Sequence, residues 1–118
     1  MNERRMKRSN DRSEALQYLV ETVADRSGVK ALVLVDDAGQ IMAGMGVPTD
    51  VAGLARTARD VAWRRASTAE IDAATHGQDV TARTVATRDG LVYFAAIGGG
   101  MTGVGEAVRA VQRIFVGA

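Results

Sequence analysis

The sequence contains no cysteine, which removes disulfides, thiolate zinc sites and thiol nucleophiles from consideration. It has one histidine, His76. That residue stands beside Gly77 with no serine or cysteine partner suggested by spacing, so it is read as a solvated turn residue and not as a catalytic base. No apolar stretch approaches the ~18 residues of a membrane span; the longest apolar run, Leu91 to Ile97, is strand-sized. The first residues are charged with no apolar segment behind them, so no secretory signal is expected. There is no G-x-x-x-x-G-K-[ST] motif. Without its phosphate-binding lysine and magnesium-binding hydroxyl, intrinsic GTPase or ATPase activity is not expected. These absences point to a cytoplasmic, non-enzymatic protein with no cofactor and no metal.

What is present is ordinary for a globular chain. Of 118 residues, 47% are hydrophobic and 25% charged, enough for one compact domain with little room for a second. The net charge of +1 is unevenly spread. Residues 1–12 hold Arg4, Arg5, Lys7, Arg8 and Arg12 against Glu3 and Asp11, while the remaining residues carry a small acidic excess. The segment is read as a flexible, solvated basic arm, with residues 13–118 as the domain. A nucleic-acid role for the arm is disfavoured because no aromatic residue is interleaved to stack on bases.

Along the domain the hydrophobic period changes several times. In "SEALQYLVETVADRSG", Leu16, Leu19, Val20 and Val23 recur at helical spacing, and Gly28 suits a left-handed cap. "VKALVLVDDAGQIMAGMG" reads as a hairpin. Ala31 to Val35 form a strand covered on both faces, Asp36 to Gly39 the turn, and Gln40 to Gly46 a looser return strand. Asp36 and Asp37 are read as turn chemistry, since no further carboxylate or histidine lies near them in sequence. A second helix follows Pro48, with Thr49 or Asp50 as its cap. Val51, Leu54, Ala55, Ala58, Val61 and Ala62 share one arc. Trp63, the sole tryptophan, falls outside it, beside Ala52, Arg56 and Arg59. Ser67 and Thr68 are read as small polar residues ending that helix.

From residue 69, "AEIDAAT", "DVTARTVAT" and "LVYFAAIG" are read as three strands, the first of them also compatible with a helix. Asp89-Gly90 marks a hairpin. Val104, Val108, Val111, Ile114 and Phe115 then line one face of a last helix. Gly98, Gly100 and Gly103 match G-x-G-x-x-G spacing, but the strand before them belongs to a hairpin. The only acid downstream is Glu106, where a dinucleotide fold needs one ~20 residues on. The glycines are therefore read as the corner into the last helix. The expected fold is α+β, in the order α-β-β-α-β-β-β-α. It has a five-stranded antiparallel sheet with the second helix on one face and the first and last on the other.

This order resembles the roadblock / dynein-light-chain family, in particular its short bacterial members related to the Mgl-type GTPase-activating protein. The resemblance runs from about Ser13 onward. It is carried by "GVKALVLVDDAGQIMAGMG", by "TDVAGLARTARDVAWRR" and by "VATRDGLVYFAAIGGGMTGVGEAVRAV". It implies a roadblock-like, profilin/longin-type sandwich that forms a homodimer, through the second helix (50–67) and a third strand (69–75). It also implies a partner, a small Ras-like GTPase whose nucleotide state the dimer modulates without inserting an arginine finger. Ala52, Arg56, Arg59, Trp63 and Ile71 are the residues assigned to the dimer or partner interface; aromatic and arginine side chains are favoured as interface anchors. Two alternatives stand beside this: a small-ligand or nucleotide module built on the Gly98–Gly105 turn, and a nucleic-acid adaptor using the basic arm.

Overall fold

Leu16, Val20, Val23 and Ala24 recur at helical spacing and are all buried, on helix α1 (Asn2–Ser27). The structure, a computed structural model, describes residues 2–65, 67–98 and 104–117. The backbone of the segment read as an arm is helical from Asn2 and continuous with the domain's first helix. At the other end Gly28, at φ +64°, returns its amide to the Ala24 carbonyl at 3.0 Å. This is the left-handed stop expected from the sequence.

Strand β1 (Ala31–Asp36) is the most apolar run of the first half, and its first five residues are all buried. It pairs antiparallel with β2 (Ile41–Met45) on one side and with β4 (Gly90–Ile97) on the other. A central strand with helices over both faces needs apolar residues at both parities. The turn before β2 is built by Asp36, whose Oδ1 accepts from the amides of Ala38 and Gln40, both at 2.9 Å. The outer edge of β2 is partly covered by α1. Gln17 donates to the Gly44 carbonyl at 2.8 Å and accepts from its amide at 3.1 Å, a side-chain amide standing in for a neighbouring strand.

Helix α2 (Pro48–Ala62) starts earlier than the sequence suggests. Its N-cap is Val47 with no side-chain cap bond, not Thr49 or Asp50. Proline at the first helical position lacks only an amide that has no helical partner anyway, and its φ is already helical, so the helix begins at Pro48. Asp50 falls inside the first turn and is buried there, where a carboxylate meets the positive end of the helix dipole.

The segment read as a third strand is a helix, α3 (Thr68–Thr75). Two features account for it. Ser67 caps the helix, its hydroxyl accepting from the Glu70 amide at 3.1 Å, so Ser67-x-x-Glu70 is the start signal of a helix and not the end of α2. Beside it, Gly53 of α2 lies so close to α3 that a Cβ there would collide with the Ala74 carbonyl oxygen. Among the described residues the sheet consequently has four strands. β3 (Val80–Thr87) pairs antiparallel with β4, and the order is β2-β1-β4-β3.

Helix α4 (Val104–Gly117) closes the described fold. Two cores flank the sheet. On one side Leu16, Val20 and Val23 of α1 and Ala107, Val111 and Phe115 of α4 pack on Leu32, Leu34, Val92 and Phe94. On the other, Leu54 and Ala58 of α2 pack on Val33, Val35, Tyr93 and Ala95.

Candidate functional site: the exposed face of the second helix

Ala52, Arg56, Arg59 and Trp63 are spaced by four, three and four residues, so they form one stripe on α2 and its C-terminal cap. All four are exposed, on the side away from buried Leu54 and Ala58. Ile71, the fifth residue assigned to the interface, is half-buried on α3, which packs alongside α2. Ile71 is therefore near that face but not part of its stripe.

Trp63 is 45% exposed but not free. Its indole Nε1–H donates to the Tyr93 hydroxyl at 3.0 Å, and that hydroxyl donates to Asp37 Oδ1 at 2.8 Å. Arg59 completes the group, with Nε 3.6 Å from Asp37 Oδ1 and Nη1 donating to the Asp37 carbonyl at 3.3 Å. The Arg65 guanidinium lies 5.8 Å from the centre of the tryptophan ring, within the range of a cation–π contact. A surface tryptophan is thus held by a fully buried tyrosine on the central sheet and, through it, by the β1–β2 turn.

Sequence reasoning singled out Trp63 and Arg59 but missed Tyr93 and Asp37. Tyr93 was hidden inside the apolar run "LVYFAAI", although a buried phenol needs a partner for its hydroxyl. Asp37 shared the turn explanation with Asp36. In the structure only Asp36 caps turn amides, whereas the Asp37 carboxylate faces Tyr93 and Arg59.

The stripe is basic. Arg59 is committed to Asp37, while Arg56 has no hydrogen bond or ion pair among the described residues. His76, in a left-handed conformation at φ +58°, caps the end of α3 and is exposed. Among the described residues no group of three or more His, Asp or Glu is placed to hold a metal ion. No described helix is long and apolar enough to cross a membrane.

The other sequence-level candidates lie elsewhere. Residues 99–103, which include most of the glycine turn, are outside the described residues; Gly98 takes φ +93° and bonds its amide to the Asp79 carbonyl at 3.1 Å. Arg12, counted with the basic arm, is docked on the domain. Its guanidinium pairs with Asp89 at 3.3 Å and sits 4.9 Å from the Phe115 ring centre, on a cleft of about 470 Å³ shared with Asp36 and Asp37.

No protein-family model matches the sequence, and no curated protein matches it. Solved structures do match. The gliding protein MglB of Thermus thermophilus aligns with a TM-score of 0.60, covering 91% of this chain and 93% of its own, at 16% identity. The fold is that of MglB. MglB of Myxococcus xanthus aligns with a TM-score of 0.58 over 89% of this chain and 90% of its own, at 15% identity. The likeness to MglB meets, at the level of the fold, the roadblock resemblance noted in the hydrophobic spacing and glycines. At this identity it is a likeness of backbone arrangement, and the chemistry of the α2 stripe has to be argued from this chain's own residues.

Proposed function

We propose that this protein is a non-enzymatic regulator or scaffold that binds a small Ras-like GTPase and modulates its nucleotide state. The observation that carries the proposal is the MglB-like fold, which spans about nine-tenths of both chains. The exposed stripe of α2 is the docking surface: Trp63 is its preorganised aromatic anchor, and Arg56 and Arg59 are its polar rim. Because the Trp63 ring is held by Tyr93 before any partner arrives, little side-chain entropy is left to lose on binding. In a homodimer the second helices lie side by side, Ala52 letting them approach closely, and the broad face that they make together holds the GTPase. Any stimulation of hydrolysis comes, as the resemblance to Mgl-type proteins implies, from repositioning the GTPase's own residues and not from an inserted arginine.

The test uses the small GTPase encoded beside this chain's gene, loaded with GDP or with a non-hydrolysable GTP analogue. The expected result is retention of one loaded form, weakened at least about tenfold by Trp63→Ala and by Arg59→Glu. Single-turnover hydrolysis then separates activation from scaffolding. Retention of neither form, together with micromolar binding of GTP or NAD by the isolated protein, would overturn the proposal in favour of a ligand-binding module.

A further inference from the structure

The face of the sheet opposite α2 carries α1 and α4 side by side, and an apolar groove runs between them on the solvent side. Two adjoining cavities of about 430 and 170 Å³ make it up, continuous through Leu19, Thr22, Ala110 and Arg113. Leu19 and Ile114, both packed on the core, form the floor. Ala15 and Ala110 keep it open. Thr22 gives its hydroxyl to the Tyr18 carbonyl at 2.8 Å, so it presents no free donor. Tyr18 stands on the rim, 72% exposed. From Ala15 to Arg26 the helix rises about 16 Å, the length of three turns.

The charged residues that line this groove, Arg26 and Arg113 against Glu106, leave a basic excess on its α4 wall. Arg113 lines both cavities and Arg109 lies one turn before it; both are exposed, and neither has a hydrogen bond or ion pair among the described residues. Among the described residues Glu106 is the one carboxylate lining either cavity, and it faces Arg26 at 3.9 Å. A long apolar slot with a large exposed aromatic and unpaired arginines on one wall fits an amphipathic helix with an acidic edge. A second copy of this chain fits it poorly: residues 2–12 and the α2 stripe are basic, and the acidic helix α3, with Glu70 and Asp72, has only eight residues and packs alongside α2.

We propose that the α1–α4 groove docks an acidic amphipathic helix of about three turns from a partner protein. Its apolar side chains enter between Leu19 and Ile114, Tyr18 serves as the anchor, and its carboxylates meet Arg113 and Arg109. This surface lies on the opposite side of the sheet from the α2 stripe, so the inference stands whether or not the GTPase proposal does.

The probe is a pair of fluorescein-labelled peptides roughly four turns long, with leucines along one face and either glutamates or lysines beside it. Fluorescence anisotropy against the full chain should show the glutamate peptide binding at least about tenfold more tightly than the lysine peptide. Ala110→Gln, which fills the slot, and Arg113→Glu, which inverts its wall, should each weaken the glutamate peptide about tenfold, and Arg113→Glu should narrow or reverse the preference. Circular dichroism and Trp63 emission, which reports the far side of the sheet, verify that both variants fold. Equal binding of the two peptides, affinity unchanged by both substitutions, or loss of binding on Trp63→Ala instead would each overturn the inference.

Discussion

At the scale of single residues, the hydroxyl of Tyr93 is the most informative atom in the molecule. Tyr93 is fully buried, yet its oxygen joins the indole of Trp63 to the carboxylate of Asp37. Tyr93→Phe keeps the ring and its packing and removes only that junction. The expected cost is about 1–2 kcal/mol, because the two partners at its ends are half-exposed and can turn to water. Trp63, released from its hydrogen bond, should emit further to the red and be quenched more readily by acrylamide. Denaturant unfolding measures the first effect and steady-state fluorescence the second. Unchanged emission would mean that the bond does not hold the ring in solution. The Arg59–Asp37 contact adds little to stability, since both side chains are more than half exposed.

At the scale of elements, the helix ends are where this chain departs from the commonest choices. Helix α2 ends in a Schellman arrangement: the Arg64 amide bonds to the Val61 carbonyl at 3.0 Å and the Arg65 amide to the Asp60 carbonyl at 2.7 Å. The residue at the left-handed position is Arg64, at φ +57°, where glycine is usual. Arg64→Gly should therefore stabilise the fold by about 0.5–1 kcal/mol, the relief of the Cβ clash exceeding the added chain entropy. A raised denaturant midpoint at unchanged slope checks this. Gly53→Ala should act in the opposite sense. Its Cβ meets backbone rather than a mobile side chain, so α3 must move off α2, at a cost of about 2–3 kcal/mol. Amide hydrogen exchange should locate the loss of protection in residues 68–75. These two helices also explain what was legible. Both hairpins and the face assignments of α1, α2 and α4 could be read because hydrophobic period and turn chemistry agree there. Residues 69–75 misled because their apolar positions fit either period, and the deciding signals were an N-cap serine and a glycine ~20 residues upstream, neither of which is periodic. In the candidate site, Trp63 and Arg59 stood out by residue type. Tyr93 and Asp37 could not, since only the fold brings residues 56 positions apart into one hydrogen bond.

At the scale of the whole molecule, the sheet is covered on both faces but open at one edge. Gln17 covers part of the β2 edge, whereas β3 is the outer strand on the other side, with Thr81, Arg83 and Ala86 exposed and a single charge among them. With residues 68–75 helical, no described strand lies outside β3, so strand pairing through residues 69–75 is lost and the self-association proposed here is assigned to the α2 stripe. Two copies related by a two-fold axis would bring the same stripe against itself. A standard interface needs roughly 800 Å² from each partner, about a tenth of the 7261 Å² that the chain exposes. The apolar contributions available on that side are Trp63, the stem of Arg56 and the small Ala52, which sets how closely the helices approach. Ala52→Arg places a long cation at that contact and, by the two-fold, a second one opposite it. Static light scattering should give a dimer mass for the natural sequence at micromolar concentration and a monomer mass for this variant, with unchanged circular dichroism because residue 52 is solvent-facing. If the variant stays dimeric, the mate is held elsewhere, and the uncovered β3 edge becomes the surface to mutate next, since an open strand with one charge leaves backbone amides without a partner strand. If the natural sequence is itself a monomer at high concentration, the α2 stripe is left whole for the GTPase, and the partner must bind one copy rather than two.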